Sequence, residues 1–504
     1  MKYVFNTDDL PLKERICRIN GINESELDTD KFTIDYDLDI INKFREKLLS
    51  YSDKRFFIVG DYDCDGICAT TIMKKLFDDL GISSNYYIPS RTREGYGISK
   101  KIVDTANDNG FDVIVCVDNG IIASEELEYA KEKGLKTFII DHHEYENEPL
   151  CDCYLHPDLF PDKYEDMCAG GLCALLSNSI RYDELSTVYG GLATLADMVK
   201  VFNYNRYLLK KMLELLNNTD IYPLKYLLKK NSFDYDSLSF NVIPKINAVS
   251  RLDDLMNVNY VVRYLLTNSG ECMAYLNKIE EINQNRKNLT SEMSALAQRL
   301  IDPKQNIIIV SSAAFKEGLC GLVANRLMYE YGKPVLVLSE NEGMLTGSGR
   351  APKGSNFHGY LKGAEGLFEA FGGHAQAVGL SLDKNNYDEL LKYINENEFI
   401  MEEVNKDVLC FEQNEINEEL LKQLESLKPF GTGFEEPLLC IDNPEYSKKY
   451  VISRQYPKFV LNNRLEAISF NHAHLDKEFA KMIGHLKRDD YHNGCLSFVI
   501  EDLL

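Results

Sequence analysis

The strongest constraint on this chain is a short apolar run that ends in a row of alternating acids. Residues 57–59 read Phe-Ile-Val, a glycine follows, and Asp61, Asp63 and Asp65 then occupy every second position. Side chains two residues apart in an extended segment face the same way, so these carboxylates are predicted to lie together. Such a cluster repels itself unless protons or a cation neutralise it, and hard divalent cations prefer carboxylate oxygens. The stretch alone predicts either a metal-binding strand end or an ordinary acidic loop.

The segments around this stretch alternate between strand-like and helix-like patterns. Such alternation indicates a parallel sheet with helices on both faces, and ligands bind these sheets at the carboxyl ends of the strands. The predicted strands are Phe56–Val59, Tyr86–Ile88, Val113–Val117 and Thr137–Ile140. The predicted helices include Ile40–Leu49, Ala69–Leu80 and Glu125–Lys133.

Acids and histidines follow several of these apolar segments. Asp118 follows the third predicted strand, Asp141, His142 and His143 follow the fourth, and Asp197 follows a run of small residues. One such Asp is usually a turn former or a helix cap, and one His pair is more often structural than catalytic. The combined set of carboxylates and imidazoles fits the ligand chemistry of two divalent metal ions. We therefore predict a two-metal centre at one edge of the sheet.

Two arginine-containing segments are candidate phosphate contacts. The loop at residues 89–97 contains Arg91 and Tyr96, which could hold a phosphate and stack a base, although an ordinary glycine-rich turn has the same composition. Arg251 follows a run of small residues and suits an anion, although a surface salt bridge is the commoner role of one arginine. The pattern from 258 to 301 is helical and predicts one or two helices that bridge two domains.

A second α/β unit is predicted from about residue 306, with strands at Ile307–Val310 and Pro334–Leu338 and a helix at Leu322–Glu330. Ser348 and Arg350 follow in a Gly-Ser-Gly-Arg sequence. Gly372, Gly373 and His374 lie in a Phe-Gly-Gly-His-Ala segment that is predicted to open another helix. Glycine N–H groups beside Arg, Ser and His predict a phosphate clamp, and a packing turn is the alternative for Gly-Gly-His alone.

The last hundred residues change from helices to short strands separated by turns. The predicted strands are Leu438–Ile441, Lys458–Leu461, Leu465–Ser469, Met482–Leu486 and Leu496–Ile500. Many short strands indicate a small β-barrel or sandwich, and a barrel of the OB type would bind single-stranded nucleic acid.

The net charge of −23 argues against nucleic-acid binding over a broad surface. It does not exclude a local basic groove, or a site where bound metal supplies positive charge. The 13 cysteines contain no Cys-x-x-Cys pair, so a structural zinc site is not expected. Because the first residues do not resemble a secretory signal and no apolar run has membrane-spanning length, we expect a cytoplasmic protein without a membrane partner.

These motifs resemble those of the DHH phosphoesterase superfamily. The similarity rests on Asp-Tyr-Asp-Cys-Asp-Gly at 61–66, Asp-Asn-Gly at 118–120, Asp-His-His at 141–143 and Ala-Asp at 196–197. Within the superfamily, the chain resembles the RecJ-type single-strand-specific exonucleases at 91–97, 246–254, 348–350, 371–375 and 429–433. Cys64 stands where this family usually has alanine.

The resemblance implies an α/β fold in four parts. A DHH catalytic domain with a parallel sheet would span residues 1–252, and a long connecting helix would span 253–301. A smaller α/β DHH-associated domain would follow at 302–402, and an OB-like β-barrel would occupy 403–504.

The resemblance also implies residue roles. The ligands of two Mn²⁺ or Mg²⁺ ions would be Asp61, Asp63, Asp65, Asp118, His142 and Asp197, with Asp118 as the bridge. Asp141 and His143 would lie behind these ligands or beside the substrate, and with Asp118 and His142 they form the expected catalytic group. Phosphates at the 5′ end would be held by Arg251, Ser348, Arg350, Gly372, Gly373 and His374. Arg91 and Tyr96 would contact nucleotides.

The implied activity is 5′-to-3′ hydrolysis of single-stranded DNA to 5′-mononucleotides, in repair or recombination. The implied partners are single-stranded DNA and a single-stranded-DNA-binding protein or a helicase, with the chain as a monomer. One alternative is a phosphodiesterase for cyclic dinucleotides or short oligonucleotides, which would share the metals and the clamp. A second is a non-catalytic replication scaffold, against which the full set of expected metal ligands argues.

Overall fold

The structure is a computed structural model that describes residues 2–30, 32–230, 232–302, 304–452, 455–471, 474–489 and 494–504. The strands of these residues form three sheets. In chain order they are β1 (Lys2–Asn6), β2 (Phe56–Val59), β3 (Ser84–Tyr87), β4 (Val113–Val117), β5 (Lys136–Ile140), β6 (Cys153–Leu155), β7 (Ile308–Ser312), β8 (Val335–Asn341), β9 (Met344–Arg350), β10 (Ala370–His374), β11 (Ala377–Asp383), β12 (Asn405–Phe411), β13 (Leu438–Asp442), β14 (Lys448–Ile452), β15 (Tyr456–Asn462), β16 (Leu465–Ser469), β17 (Lys481–Arg488) and β18 (Leu496–Leu503).

The α-helices connect and cover these strands. In chain order they are α1 (Leu12–Ile19), α2 (Asp39–Leu49), α3 (Cys64–Asp79), α4 (Lys100–Asp108), α5 (Ser124–Glu132), α6 (Ala169–Ile180), α7 (Glu184–Ala196), α8 (Asn203–Asn218), α9 (Tyr222–Leu228), α10 (Tyr235–Ser237), α11 (Ile243–Arg251), α12 (Asn259–Leu266), α13 (Met273–Leu300), α14 (Cys320–Tyr331), α15 (Phe357–Lys362), α16 (Tyr387–Glu396) and α17 (Glu418–Ser426). No described helix is both long enough and apolar enough to cross a membrane.

The chain divides into two compact units. One contains Met1–Thr33, Met198–Tyr207 and Glu403–Leu504, and the other contains Ile34–Asp197 and Leu208–Glu402. The predicted catalytic domain starts at residue 1, whereas in the structure the first residues belong to the unit that holds the C-terminal sheet. The reason is that β1 pairs in parallel with β12, so its backbone partners lie about four hundred residues away in sequence.

The first sheet has the order β3-β2-β4-β5-β6, and all its neighbouring strands are parallel, as predicted. Every residue of β2 and β4 is buried, which explains their continuous apolar sequences. From β2 the chain continues to β3 on one side and then crosses to β4 on the other. The strand order therefore reverses between β2 and β4, and a parallel sheet binds ligands in the crevice at such a point.

Two helices beside this sheet pack closely through glycines. A Cβ atom on Gly170 of α6 would lie 2.4 Å from the Cβ of Ala193 on α7. A Cβ on Gly190 of α7 would lie 2.5 Å from the Cβ of Ala174 on α6. Both distances are too short for a real contact, so only glycine allows the two helices to approach this closely. The N-terminus of α6 and the C-terminus of α7 thereby reach the strand ends.

The second sheet has the order β10-β11-β9-β8-β7 and belongs to the same unit. The prediction that residues 371–375 open a helix is wrong, because most of this segment is β10, which pairs antiparallel with β11 from Ala370 to His374. At Gly373 φ is +132°, and a Cβ there would lie 2.2 Å from the carbonyl oxygen of Ala377. Gly373 therefore permits a close strand pair. The predicted bridging segment contains α12 and α13.

The third sheet, in the other unit, has the order β1-β12-β13-β17-β18-β16-β15-β14. The five predicted strands of the last hundred residues are present, and β1, β12 and β14 extend the sheet beyond them. Arg206 is buried in this unit and donates to the carbonyl oxygens of Leu27 (3.2 Å), Leu427 (2.5 Å) and Pro429 (2.8 Å). One guanidinium thereby connects all three stretches of chain that make up the unit.

Candidate metal centre

The backbone of the acidic row, residues 61–65, changes from extended to helical at Asp63. Asp63 is the N-cap of α3, and its carboxylate accepts from the backbone N–H groups of Asp65 (2.9 Å) and Gly66 (3.2 Å). The prediction that all three acids alternate along an extended segment is therefore wrong, because capping starts the helix at Cys64. Asp61 stays at the strand end, and Asp65 lies in the first helical turn. Both of these side chains are buried.

Asp65 is held by a second helix. Its two carboxylate oxygens accept from the N–H groups of Ala169 (2.9 Å) and Gly170 (2.6 Å), which are the first residues of α6. These N–H groups have no partner inside the helix, and the helix dipole also favours a negative charge there. The close packing at Gly170 thus positions one carboxylate of the acidic row.

Asp118 follows β4 with φ at +61°, a conformation that non-glycine residues rarely adopt. Tyr96 donates its hydroxyl to the Asp118 carbonyl oxygen at 2.8 Å. The neighbouring Asn119 donates its side-chain N–H groups to the carbonyl oxygens of Val59 (3.0 Å) and Val117 (2.8 Å). Asn119 therefore joins the ends of β2 and β4, a role that its sequence position alone did not reveal.

Asp141 is saturated by hydrogen bonds from the protein. Its carboxylate accepts from the N–H groups of Ile121 (3.0 Å), His142 (2.8 Å) and His143 (3.2 Å), and lies 2.7 Å from Nδ1 of His143. Burial alone would raise the pKa of Asp141, but the hydrogen bonds, above all that from His143, lower it. Asp141 thus orients the His142–His143 segment and does not offer a free oxygen to a metal.

His142 lies close to three of the acids. Its Nε2 is 3.3 Å from Oδ1 of Asp118 and 3.7 Å from Oδ2 of Asp65, and its Nδ1 is 3.7 Å from Oδ2 of Asp197. Burial, and next the nearby His143, lower the pKa of His142 to about 4. The imidazole is therefore neutral at physiological pH, which is the form that binds metals.

The electrostatics of the acids favour a bound cation. Burial, and next a neighbouring carboxylate, raise the pKa of Asp65 to about 7 and that of Asp197 to about 8. The same two causes raise the pKa values of Asp61 and Asp118 well above the ordinary range. Oδ1 of Asp61 and Oδ1 of Asp118 are buried without a hydrogen-bond partner. Buried oxygens of this kind are rare, and a metal ion would satisfy them.

Among the described residues, three groups of side chains could hold a metal ion, and within each group the ligand atoms lie within 4.8 Å of one another. They are Asp61–Asp63–Asp118, Asp65–His142–Asp197 and Asp118–His142–His143. The first two groups share no residue, and together they contain the six predicted metal ligands. Asp118 and His142 each belong to two groups, but a carboxylate has two oxygens to offer, which suits the bridging role expected for Asp118. This donor set of carboxylates and imidazole fits two divalent cations.

A group of arginines lies near the acids. Arg251, at the end of α11, donates to the carbonyl oxygen of Gly318 at 3.3 Å. Burial, and next the positive charges of Arg91, Arg286 and Arg350, lower the pKa of Arg251 to about 9, while Asp63 acts in the opposite direction. We call these four residues the arginine cluster. Four guanidinium groups within electrostatic reach of one another predict an anion-binding site.

The arginine cluster extends to the start of α14. A Cβ on Gly321 would lie 3.1 Å from Nη2 of Arg350 and 3.5 Å from Oγ of Ser348, so both predicted phosphate contacts are present there. Arg286 lies on α13 and was not predicted. The sequence of this long helix contains several Lys and Arg residues, and its pattern does not distinguish the one that faces the cluster.

The remaining predicted residues lie around these two groups. The guanidinium of Arg91 lies over the ring of Tyr62, 4.9 Å from its centroid. The Tyr96 hydroxyl is 3.2 Å from Nδ1 of His143 and so belongs to the acidic site as well as to its loop. His374 is exposed on β10, and its charge contributes to lowering the pKa of His142, so it lies within electrostatic reach of the ligands. Gly372 is exposed on the same strand.

Three family models match the chain in succession. The model for the N-terminal domain of the DHH family matches residues 55–196, the DHHA1 domain matches 304–398, and the RecJ OB domain matches 409–502. These ranges contain the acidic site apart from Asp197, the sheet with His374 and most of the C-terminal strands. The predicted α/β fold with an OB-like C-terminal domain is confirmed.

Two relatives found by sequence carry the same name. The chain is 28% identical over 478 residues to the single-stranded-DNA-specific exonuclease RecJ of Bacillus subtilis, a match that covers 87% of this chain and 60% of that protein. It is 29% identical over 448 residues to the protein of the same name in Escherichia coli, covering 79% of this chain and 76% of the relative. The chain thus spans about three fifths of the length of the first of these relatives.

Solved structures agree with this assignment. The RecJ structure in complex with Mn²⁺ from Thermus thermophilus matches 100% of this chain and 79% of its own, with a TM-score of 0.84 and 21% identity. A structure of exonuclease RecJ bound to manganese matches 72% of this chain and 95% of its own, with a TM-score of 0.63 and 25% identity. The chain therefore contains DHH, DHHA1 and RecJ OB domains in succession, on a fold similar to that of these RecJ structures.

Proposed function

We propose that the protein is a metal-dependent exonuclease that degrades single-stranded DNA from its 5′ end and releases 5′-mononucleotides. The observation that carries this proposal is the presence, in one compact unit, of six side chains that could hold metal beside the arginine cluster. Phosphodiester hydrolysis requires a site for divalent cations and a site for the phosphates of the strand, and this unit has side chains for both.

The metal site would hold two Mn²⁺ or Mg²⁺ ions. Asp61, Asp63 and Asp118 would hold one, and Asp65, His142 and Asp197 the other, with Asp118 shared. Such ions lower the pKa of a water molecule and neutralise charge that develops on the phosphate. The chain itself holds the ligands in place through the Asp63 cap, the α6 N-terminus and Asn119.

The other side chains of the site would bind and orient the DNA. The arginine cluster and Ser348 would hold phosphates near the 5′ end, because guanidinium groups form paired hydrogen bonds with phosphate oxygens. Burial lowers the pKa of His143, but the hydrogen bond to Asp141 outweighs it and raises the pKa to about 9. In the metal-free site this hydrogen bond therefore favours the protonated ring. Asp141 holds the ring in position.

The OB domain supports a long single strand as the substrate rather than a cyclic dinucleotide. OB domains bind single strands by base stacking and a basic groove, and a small substrate would not need one. The direction of degradation and the mononucleotide product are proposed from the resemblance to RecJ-type enzymes. The same resemblance supports a cytoplasmic monomer that acts in repair or recombination, together with a single-stranded-DNA-binding protein or a helicase.

A digestion series would test this proposal. Oligonucleotides labelled at the 5′ or 3′ end, single-stranded or double-stranded, would be digested with Mn²⁺ or Mg²⁺, beside a cyclic dinucleotide. We expect immediate release of a labelled mononucleotide from the 5′-labelled single strand and slow loss of the 3′ label. Preference for the cyclic dinucleotide, or for the duplex, would contradict the proposal.

A further inference from the structure

The loop that carries Arg91 has its own hydrogen-bonded support. The carbonyl oxygen of Ser90 accepts from the N–H groups of Glu94 (2.9 Å) and Gly95 (3.2 Å), which closes the loop into a turn. The Glu94 carboxylate accepts from the Ser90 N–H at 2.9 Å and from the Tyr87 hydroxyl at 2.7 Å. These bonds shape the loop, but they lie within one local segment and do not fix it relative to the rest of the phosphate site.

One buried carboxylate from a distant segment provides that connection. Asp253 accepts from the Ser90 hydroxyl at 2.5 Å, from the Thr92 hydroxyl at 2.7 Å and from the Thr92 N–H at 3.2 Å. Only 6% of Asp253 is exposed. The two residues that it binds flank Arg91 in sequence, so this carboxylate fixes the backbone on both sides of the arginine. A buried carboxylate with three donors is a strong restraint, because removing it leaves these donors unpaired.

A polar pocket of about 330 Å³, partly open to solvent, borders the loop and is lined by Ser90, Glu94 and Asp253 among others. The hydrogen bonds to Asp253 therefore hold a part of the loop that borders open space. Asp253 is therefore well placed to determine where the loop lies.

Asp253 is also next to the second arginine of the site. It follows Arg251 by two residues, directly after α11, and Arg251 donates to Gly318 next to α14. The charges of Arg91 and Arg251 act on each other, as the lowered pKa of Arg251 records. Residues 251–253 thus include Arg251 itself, and through the Asp253 carboxylate the same short segment holds the loop that carries Arg91.

We propose that Asp253 is a positioning residue that fixes Arg91 relative to Arg251, so that both guanidinium groups meet the terminal phosphate of the strand. Asp253 does not touch the substrate in this proposal. The inference rests on the proposed function, because it explains how the enzyme would prefer a strand with a 5′-phosphate to one with a 5′-hydroxyl.

The test compares Asp253→Asn with Asp254→Asn in the full-length protein. Asp254 is the matched control, since it is the next residue, carries the same charge and forms an exposed ion pair with Lys316 at 3.3 Å. Steady-state constants would be measured on 5′-phosphorylated and 5′-hydroxyl oligonucleotides. We expect Asp253→Asn to raise the KM for the phosphorylated strand about tenfold to a hundredfold, with kcat and the constants for the hydroxyl strand nearly unchanged. Asp254→Asn should behave as the wild type.

A second measurement does not depend on activity. Hydrogen–deuterium exchange at residues 89–97 should become faster in Asp253→Asn than in Asp254→Asn, because asparagine has one acceptor oxygen in place of two and cannot accept from donors on both sides of the carboxylate. Thr92→Val removes one hydroxyl donor and keeps the buried carboxylate, so it tests the contact if Asp253→Asn does not fold.

The outcomes distinguish a failure of the positioning role from a failure of the proposed function. Unchanged exchange, or an unchanged preference for the 5′-phosphate in a folded Asp253→Asn variant, would overturn the positioning role. Equal loss of activity on both strands would also overturn it, since that is what general destabilisation produces. A wild-type protein that fails to degrade the phosphorylated strand from its 5′ end would instead overturn the proposed function, and the exchange result would still decide the positioning role.

Discussion

Oδ1 of Asp65 accepts a hydrogen bond of 2.6 Å from the backbone N–H of Gly170. The same glycine allows α6 and α7 to meet, because its missing Cβ would lie 2.4 Å from the Cβ of Ala193 and 2.8 Å from the Asp65 carboxylate. The packing of two helices and the position of a metal ligand therefore depend on one residue without a side chain. This relationship leads to the first prediction.

Gly170→Ala should lower the affinity of the protein for divalent metal. The added methyl group must displace the Asp65 carboxylate or α7, and disturbing the support of a metal ligand typically lowers affinity about 10–100-fold. Mn²⁺ titration by calorimetry would measure the change. Gly171→Ala is the matched control, because its Cβ would come no closer than 3.5 Å to a neighbour, the hydroxyl of Thr194. Equal Mn²⁺ affinity in the two variants would contradict the prediction.

Asp118→Ala should abolish nuclease activity while leaving the fold intact. Its Oδ1 has no hydrogen-bond partner in the protein, and its neighbours include other carboxylates, so removing the side chain relieves repulsion rather than breaking a contact. We expect a thermal midpoint in EDTA at or above that of the wild type, measured by calorimetry. An unchanged hydrolysis rate would refute the metal assignment.

Divalent metal should stabilise the protein more as the pH rises from about 5 to 8. Without metal, the pKa of Asp65 is raised to about 7 and that of Asp197 to about 8, whereas unfolded aspartate has a pKa of about 3.9. The metal-free folded state therefore binds more protons than the unfolded state in this range, and these groups make it less stable as the pH increases. Bound metal removes that loss because it holds the carboxylates deprotonated.

The measurement is the difference between thermal midpoints in Mn²⁺ and in EDTA at each pH. Taking the difference cancels groups elsewhere, such as Glu501, whose pKa is lowered to about 2 mainly by its hydrogen bond with His485. A difference that stays constant or shrinks between pH 5 and 8 would count against the site.

Arg286→Ala should weaken the binding of single-stranded DNA. A hydrogen bond from a charged donor contributes about 1.5–3 kcal/mol, so we expect KM to rise at least tenfold. The salt dependence of binding should also fall, by about 0.7 in the slope of log K against log salt for each lost phosphate contact. Arg299→Ala on the same helix is the control, since Arg299 is exposed and the charge change is identical. Similar effects in both variants would mean that the loss of one positive charge, rather than a specific phosphate contact of Arg286, weakens DNA binding.

The residues that the structure brings together in the candidate metal site were predictable because their signals are local. An acid directly after a buried strand is visible in the sequence, and the parallel order of the strands brings such acids to one edge. The supports of the ligands were not predictable in the same way. The contact between Asp65 and Gly170 spans more than a hundred residues, and Asn119 forms its bonds only once β2 and β4 are neighbours.

Two failures have different physical causes. The segment 371–375 contains two adjacent glycines, which remove the hydrophobic period that separates a strand from a helix. Its pairing with β11 decides the conformation instead. The partner of β1 is β12, and no pattern within residues 1–33 indicates a pairing that distant in sequence.

Arg206→Met should destabilise the unit that contains the C-terminal sheet. The arginine is 1% exposed and donates to the carbonyl oxygens of Leu27, Leu427 and Pro429, so methionine would fill the space and leave these oxygens unpaired. Leaving a buried acceptor without its hydrogen bond typically costs about 1–3 kcal/mol. Hydrogen–deuterium exchange would show faster exchange around residues 27 and 427–429, and urea unfolding would give the loss of free energy. Arg464→Met is the control, because Arg464 is exposed in the same unit and its loss should change stability by less than about 0.5 kcal/mol. If Arg206→Met unfolded like Arg464→Met, the three stretches of this unit would be joined by their strands and apolar core rather than by the guanidinium.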